Sequence, residues 1–427
     1  MKLLLLAPQP CYIDRGTPIA VDLTLATLSE AGHEVDLITF PGGEERTYAG
    51  LCTFRVGERL STTPARPGFS AKKVVLDFFM LVKAFRLAAT NRYTLVHAVE
   101  ESSFIALVLK LLFRIPYLSD MDSRMTTQLT DRFGWLKPFD KVLWAIESLP
   151  IRFASGVVTM CESLRAQVRS VRRDNVFVVN DVSLLDYYSA TELVSPAELD
   201  QIRDTHNSVF MYIGNLESYQ GVDLLLQAFS RLVATQETTG ELNDAALVVV
   251  GGDDRLIQTY RQQASELNIG ASTFFLGPQP VGLLKTLTAK ADVLVSPRTH
   301  GTNTPLKLYS YLDSGVPVLA TNLQTHTQVV DPSQAMLCAP TPEAMANGMI
   351  QLMQNPQQRE QLAKNGKQLV EEHHSIDVFR REMLAIYDQM NPERPTTART
   401  TETQVQQEVP TNKANSSADK LVRTAQG

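Results

Sequence analysis

The sequence contains few cysteines. Four occur in 427 residues, and none has Cys-x-x-Cys spacing or a histidine-rich segment nearby. Zinc sites and disulfide frameworks need ligand or partner residues at short, regular spacings. The pattern therefore argues against both and predicts buried free thiols at Cys11, Cys52, Cys161 and Cys338.

Long apolar segments are absent as well. The longest, residues 104–118, is interrupted by Lys110 and Arg114 and is shorter than the roughly 20 residues that cross a bilayer. The leucines after Met1-Lys2 form a short run that ends before Pro8, unlike a signal peptide. We expect this run to be a buried first strand, and we expect no transmembrane span.

An excess of positive charge is also missing. The chain has 40 Lys and Arg against 46 Asp and Glu, a net charge of −6, and its isoelectric point is near 5.7. Proteins that bind nucleic acid usually present a basic field, so nucleic acid is not an expected partner. The loop after the first strand, residues 8–18, lacks a Gly-x-Gly-x-x-Gly, which disfavours a dinucleotide-dependent oxidoreductase.

Two series of alternating strand and helix patterns are present. In the first, the apolar run 3–7, a helical spacing over 19–31 and the apolar run 35–40 form a βαβ unit. Continuously apolar strands are typical of parallel sheets covered by helices on both faces. Further strands are predicted at 95–99, 116–118, 157–160 and 176–179.

The second series begins with a strand at 209–213 and continues with strands at 246–250, 272–276, 293–296 and 316–320. We predict an α/β protein of two facing Rossmann-like domains with an interdomain cleft, because ligands bind at the carboxyl ends of such strands. The predicted parts are domain 1–181, linker 182–208, domain 209–375, C-terminal helix 376–390 and disordered tail 391–427.

Residues 296–315 carry the clearest chemical pattern. Thr304 is a good N-cap, Pro305 suits the first helical position and Gly315 suits a left-handed helix end. The loop before the helix therefore opens onto unpaired backbone NH groups, which bind anions, and Gly301 lets a ligand approach closely.

Two cations flank this loop. Lys307 falls in the first helical turn, where the helix dipole disfavours a cation unless an anion lies nearby, and Arg298 follows the preceding strand. The pattern predicts a phosphate site. The alternative is that both are ordinary solvated surface charges.

Other candidates lie at predicted strand ends. The glycine-bounded loop 214–221 lines the site from the other side or is an ordinary strand-to-helix turn. His97, in the strand 95–99, is a cleft residue or a structural histidine. Asp120 and Asp122 bind sugar hydroxyls or, more simply, cap the next helix.

Together these residues resemble the family-4 retaining glycosyltransferases, which have the GT-B fold of two facing Rossmann-like domains. The resemblance spans about residues 1–390 and is carried by 28–35, 214–229 and 301–321. It implies sugar transfer, with retention, from a nucleotide diphosphate donor to a hydroxyl of a glycan, lipid-linked or small-molecule acceptor. It also implies acceptor binding by the first domain, donor binding by the second, no cofactor and no obligatory metal, because cations stabilise the leaving diphosphate.

The departures from the family concern charge. Where the family has Arg and Lys for the diphosphate, this sequence has Asn215 and Gln220, and where it has two Glu, this sequence has Thr302 and Ser310. The chain is therefore interpreted as a divergent member with a rebuilt donor site. The alternative is a catalytically inactive GT-B protein that binds a nucleotide sugar or a partner.

The resemblance assigns residue roles by position. His97 would touch the donor sugar or the acceptor, Gly16 would let the acceptor loop approach the donor, and Ser310 would face the ribose or sugar. The catalytic candidates are His97, Arg298 and Lys307. The donor-binding candidates are Gly214, Asn215, Gln220, Gly301, Thr302, Asn303, Thr304 and Ser310, and the acceptor-side candidates are Gly16, Thr17 and Asp122.

Peripheral membrane contact is a separate hypothesis. Residues 72–87 and 104–118 mix apolar side chains with Lys and Arg, which suits a membrane surface, although a buried helix face is the simpler interpretation. The expected location is the cytoplasm, with the inner face of the membrane as a variant of it.

Overall fold

The computed structural model describes residues 1–14, 16–58, 70–187, 194–239 and 245–391. The first domain has seven strands: β1 (Lys2–Pro10), β2 (Glu34–Phe40), β3 (Leu51–Arg55), β4 (Leu95–Val99), β5 (Tyr117–Met121), β6 (Gly156–Thr159) and β7 (Val176–Val178). Its helices are α1 (Gly16–Glu30), α2 (Ala71–Thr90), α3 (Ser103–Phe113), α4 (Met125–Arg132), α5 (Asp140–Phe153) and α6 (Glu162–Arg169), with 3-10 turns at Glu100–Ser102 and Gly134–Phe139.

The second domain has six strands: β8 (Ser208–Ile213), β9 (Ala245–Val250), β10 (Thr273–Gly277), β11 (Val293–Ser296), β12 (Val318–Thr321) and β13 (Met336–Cys338). Its helices are α7 (Ala197–Thr205), α8 (Val222–Thr239), α9 (Asp254–Glu266), α10 (Leu284–Thr288), α11 (Lys307–Asp313), α12 (Gln324–Thr327), α13 (Pro342–Gln354) and α14 (Pro356–His373), followed by α15 (Ile376–Met390). Short 3-10 turns lie at Ser218–Gln220 and Val281–Leu283.

Both sheets are parallel throughout. The first has the order β3-β2-β1-β4-β5-β6-β7 and the second the order β10-β9-β8-β11-β12-β13. Alternate residues of β1 enter different cores: Leu4 and Leu6 join one cluster, and Leu3 and Leu5 join the other. A strand buried on both faces must be apolar at every position, which explains the leucine run. The predicted pair of Rossmann-like α/β domains is confirmed.

The last helix returns to the first domain. Tyr387 and Met383 of α15 belong to the core cluster of β1 and β2, and Arg380 pairs with Glu30 of α1 at 2.8 Å. The chain thus crosses between domains twice, before β8 and before α15. The predicted linker 182–208 contains α7 and residues 188–193, which lie outside the described residues, as do 392–427 of the predicted tail.

The structure differs from the predictions in two edge strands and in one cysteine. The edge strands β3 and β13 were not predicted, because β3 is half exposed and β13 has three residues. Cys52 on β3 is exposed, unlike the other three free thiols, because the edge strand leaves one side uncovered. Among the described residues, no helix is both long and apolar enough to cross a membrane.

Candidate active site

Three glycines bring together the loops at the carboxyl ends of β8, β9 and β11. Gly251 has φ +108°, and an ideal Cβ there would lie 2.2 Å from the Gly214 carbonyl oxygen. Gly221 has φ +77°, and its Cβ would lie 1.9 Å from the Pro297 carbonyl oxygen. Only glycine permits such close backbone contact in the left-handed region, so these residues form the floor of the cleft on the second domain.

Lys307 projects onto this floor without a counter-ion. Its Nζ lies 3.8 Å from the ring centroid of Tyr212, and a Cβ on Gly214 would lie 2.9 Å from it. Within the described ranges this buried Nζ has no hydrogen-bond partner. Burial, and after it the charge of Arg298, holds the pKa of the Lys307 ammonium well below its usual range. A buried cation is unfavourable without an anion, so the arrangement is suited to a negatively charged ligand.

Arg298 shapes the loop that the sequence singles out. Its Nε donates to the His300 carbonyl at 3.2 Å, its Nη1 donates to the Asn303 carbonyl at 2.9 Å, and its guanidinium carbon lies 5.1 Å from the Tyr219 ring centroid. Burial lowers the pKa of the guanidinium. Gly301 has φ +119°, and its Cβ would come within 3.2 Å of Nη2, so glycine lets the loop fold over the guanidinium.

The helix that follows the predicted phosphate-binding loop starts later than predicted. α11 begins at Lys307 and is preceded by Leu306, which makes no side-chain cap. The prediction of Thr304 as N-cap is therefore wrong, because the Thr304 hydroxyl instead accepts a hydrogen bond from Gln328 Nε2 at 2.9 Å. Gly315 does follow the helix in the left-handed region, at φ +73°.

The same loop touches the first domain. Asn303 Nδ2 donates to the Asp122 carbonyl at 2.5 Å, and Ser163 Oγ donates to the Thr302 carbonyl at 3.1 Å. The Thr17 side chain hydrogen-bonds to the Asp122 carboxyl. The donor-side candidate Asn303 and the acceptor-side candidates Thr17 and Asp122 are therefore neighbours across the cleft.

Carboxyl groups gather on the first-domain side of the cleft. Burial, followed by the charges of Asp120 and Glu100, raises the pKa of the Asp122 carboxyl well above its usual range. Burial and Glu101 raise the pKa of Glu100 to about 7, and burial and Asp120 raise that of Asp181 to about 7. Carboxyls that hold a proton near neutral pH donate as well as accept hydrogen bonds, which suits sugar hydroxyls.

His97 lies inside β4 rather than at its end. The side chain is 1% exposed, its Nδ1 is 2.5 Å from the Tyr387 hydroxyl and its Nε2 is 3.0 Å from Asp120 Oδ2. Both ring nitrogens are thus occupied by protein groups. This geometry favours the structural alternative, while the catalytic role of His97 stays a prediction.

Four other predicted residues make few contacts that bear on the cleft. Ser310 is 1% exposed, and its Oγ accepts from the Leu184 backbone NH at 3.0 Å. The exposed Asn215 accepts from the Glu217 NH at 3.4 Å, and buried Gln220 has an Oε1 without a partner in the described part of the chain. No atom lies within 4 Å of an ideal Cβ on Gly16. Their contacts with donor or acceptor stay predictions.

Several residues of the site were not found from the sequence. Tyr212 and Tyr219, which contact the two cations, lie next to and within the predicted loop 214–221, but neither was selected as a site residue. The Gly251-Gly252 pair after a continuously apolar strand was a usable signal for a close backbone approach. Among the described residues, no group of three or more His, Cys, Asp or Glu side chains is arranged to hold a metal ion.

Known proteins resemble both halves of the chain. Residues 16–180 match the model for Glycosyltransferase Family 4, and residues 200–369 match that for glycosyl transferases group 1. An uncharacterized glycosyltransferase of Methanocaldococcus jannaschii is 23% identical over 372 residues, covering 83% of this chain and 90% of its own.

Solved structures share the fold. The sucrose-phosphate synthase of Thermosynechococcus elongatus matches with a TM-score of 0.73 at 18% identity, over 91% of this chain and 98% of its own. The Anabaena protein HepE in complex with UDP-glucose matches with a TM-score of 0.66 at 15% identity, over 91% and 99%. The predicted resemblance is confirmed: the chain belongs to the family-4-like glycosyltransferases and is an enzyme that transfers a sugar.

Proposed function

We propose that Lys307 and Arg298 bind the diphosphate of a nucleotide-sugar donor. The observation that carries this proposal is the buried Lys307 Nζ, which lacks a hydrogen-bond partner among the described residues and lies against the Gly214 backbone. A diphosphate supplies the missing negative charge, and charge-assisted hydrogen bonds from fixed donors stabilise it further as it leaves. The UDP-glucose complex of HepE supports a nucleotide-sugar donor.

The donor site is a rebuilt one. Asn215, Gln220, Thr302 and Ser310 stand where charged residues are usual, so the cation that remains closest to the floor is Lys307. Because the diphosphate charge is met by Lys307 and Arg298, the proposal includes neither a metal nor a cofactor.

The acceptor hydroxyl binds beside Thr17 and Asp122. These residues lie across the cleft from Asn303, and the raised pKa of Asp122 leaves its carboxyl able to donate or accept a hydrogen bond. In the reaction, the bond between the anomeric carbon and the diphosphate breaks and a bond to the acceptor oxygen forms. The acceptor proton leaves with the departing phosphate oxygen, which is the group nearest to it when attack occurs on the same face.

Retention of anomeric configuration is part of the proposal and rests on the family resemblance. The acceptor is a glycan, a lipid-linked molecule or a small molecule, and the enzyme acts in the cytoplasm, with the inner face of the membrane as the variant. The alternative, an inactive protein that only binds a nucleotide sugar or a partner, rests on the loss of both glutamates at Thr302 and Ser310, and the match to glycosyltransferases over both domains counts against it.

The test is release of nucleoside diphosphate from a panel of UDP-, GDP- and ADP-sugars, with acceptor extracts supplied, by the wild type and Lys307→Ala. Release from one donor that collapses in the variant supports the proposal and identifies the donor. Binding of that donor without release in any extract supports the inactive alternative. Proton NMR of the product reports the anomeric configuration, and an inverted product contradicts retention.

A further inference from the structure

The exposed apolar side chains are concentrated in one part of the molecule. Of the fifteen large apolar residues exposed among the described residues, fourteen lie between Val74 and Phe153. They belong to α2, α3, the turn Gly134–Phe139 and α5, and α3 packs against both α2 and α5. We call these fourteen the apolar face: Val74, Val75, Phe78, Phe79, Phe85, Val108, Leu111, Leu112, Trp135, Phe139, Val142, Ile146, Leu149 and Phe153.

The apolar face follows helical periodicity. On α5 it consists of Val142, Ile146, Leu149 and Phe153, which are spaced by four, three and four residues and therefore form one stripe. The opposite sides of these helices are apolar too: Leu76, Met80 and Ala84 of α2 are buried in the core. Burial in the core of the first domain explains the apolar residues on the inner sides of these helices, but not those of the apolar face. Contiguous apolar surface of this kind marks an interaction site.

The charge around the apolar face is positive. Helices α2, α3 and α5 with the turn Gly134–Phe139 contain eight Lys or Arg and three Asp or Glu, in a chain whose net charge is −6. Two of the three acidic groups are engaged, since Glu147 accepts from the Thr126 NH and Asp140 pairs with Arg124. One of the eight basic groups, Lys73, pairs with Glu101. A surface of exposed apolar and basic side chains complements an anionic lipid bilayer, which offers apolar chains beneath negative head groups. It complements a second protein of acidic and mixed polar composition less well.

A cavity lies between α3, α5 and the loops that follow β4 and β5. It is small, about 40 Å³, and is lined by Phe104 of α3, Ile151 of α5 and the polar residues Glu100 and Ser123. The helices that expose the apolar face therefore also form the wall of this cavity. Its polar end lies next to Asp122, the proposed acceptor residue.

We propose that the apolar face docks on an anionic lipid bilayer and that the acceptor is a membrane lipid whose head group reaches the acceptor side of the cleft. The identity of the acceptor rests on the proposed function, whereas docking does not. The apolar chains of such an acceptor stay in the bilayer while its hydroxyl reaches Asp122.

Flotation with vesicles tests docking without any substrate. The wild type is expected to float with vesicles of equal phosphatidylcholine and phosphatidylglycerol, less with phosphatidylcholine alone, and less in about 1 M salt, because salt screens the basic residues. The double variant Leu111→Gln, Leu112→Gln should bind about tenfold or more weakly, because two inserted leucines are lost. The matched control Val194→Gln, the one exposed apolar residue outside the face in the described chain, should float like the wild type.

Protein that stays at the bottom of the gradient with every vesicle overturns docking. If light scattering then shows that the wild type is a dimer and the double variant a monomer, a second copy of the chain covers the apolar face instead. Equal flotation of the double variant and the wild type also overturns the proposal. Chemical unfolding of both variants serves as the folding control, since substitution of exposed side chains changes stability little.

The acceptor is tested with the donor that the panel identifies. Label should enter vesicles made from a total lipid extract and become extractable into organic solvent, and the double variant should transfer about tenfold less while still cleaving donor with water. Equal transfer to a water-soluble acceptor by both proteins overturns the lipid acceptor and leaves the glycosyltransferase proposal intact. Flotation without donor cleavage under any condition leaves docking intact and contradicts the proposed function.

Discussion

The Nζ atom of Lys307 lies 3.8 Å from the ring centroid of Tyr212 and has no hydrogen-bond partner among the described residues. The facing charged and titratable groups are Arg298 and the Tyr212 hydroxyl, and neither supplies a negative charge near neutral pH. The ammonium form is therefore next to an aromatic ring and a glycine backbone and has no negative partner there, which a bound anion would supply.

Binding of a nucleoside diphosphate should take up protons. The pKa of Lys307 is lowered without ligand, so above that lowered value the amine is neutral, and a bound diphosphate raises the pKa toward its usual range near 10.5. Uptake is expected in the pH interval between the lowered and the usual pKa, and it is measured in a pH series as the dependence of the calorimetric binding heat on the ionisation enthalpy of the buffer. Lys307→Met should abolish it, and equal uptake in that variant would assign the proton to another group.

Gly221→Ala should destabilise the second domain severely. A Cβ at this position would lie 1.9 Å from the Pro297 carbonyl oxygen, in addition to the strain of φ +77°. The control is Gly32→Ala, which has a similar φ of +74° but no atom within 4 Å of its Cβ. Chemical unfolding should show a loss of roughly 1–2 kcal/mol in the control and clearly more in Gly221→Ala. Equal losses would mean that the loop contact is dispensable.

Tyr387→Phe should weaken the attachment of α15 to the first domain. The substitution leaves the buried Nδ1 of His97 without its partner at 2.5 Å, which is expected to lower the free energy of unfolding by roughly 1–3 kcal/mol. Tyr260→Phe is the control, because the Tyr260 hydroxyl is 3.4 Å from both of its acceptors. If His97 is structural, donor cleavage per folded molecule should be unchanged in Tyr387→Phe, and a large loss would support its catalytic role.

Asp181→Asn should stabilise the protein at alkaline pH. Burial raises the pKa of Asp181 to about 7, so between the unfolded value near 3.8 and about 7 the folded protein binds more protons. The stability that Asp181 contributes is therefore present at low pH and lost as the pH rises through 7. The difference in free energy of unfolding between the variant and the wild type should therefore shift in favour of the variant by on the order of 1 kcal/mol from pH 5 to pH 8. A difference between Asp181→Asn and the wild type that does not change with pH would contradict the buried ionisation of Asp181.

The sequence predicts those strands that are buried on both faces of the sheet. β4 and β11 are predicted at their observed bounds, because a buried parallel strand is apolar on both faces. β3 is half exposed and carries no such run. The start of α11 depends on a hydrogen bond from Gln328 to Thr304, and no local pattern encodes that contact.

From the sequence, only those site residues could be predicted that lie close to one another in the chain. The segment 296–315 identifies Arg298, Gly301 and Lys307 because a loop, a glycine and a cation precede one helix. The partners of His97 come from β5 and from Tyr387, which is 290 residues away, so its burial could not be inferred. Only the parts of the apolar face on α2 and α3 were recognised from their composition, whereas those on the turn Gly134–Phe139 and on α5 were not, and whether any part is covered depends on tertiary packing.

The most direct test of the donor site is the dissociation constant of the nucleoside diphosphate for the wild type and Lys307→Met, measured by calorimetry at pH 7. Loss of one charged hydrogen-bonding contact to phosphate should weaken binding about 10- to 100-fold. The exposed Lys290→Met, whose ammonium pairs with Asp200 at 2.9 Å, should bind like the wild type. Equal affinity of Lys307→Met and the wild type would show that the diphosphate does not bind at Lys307.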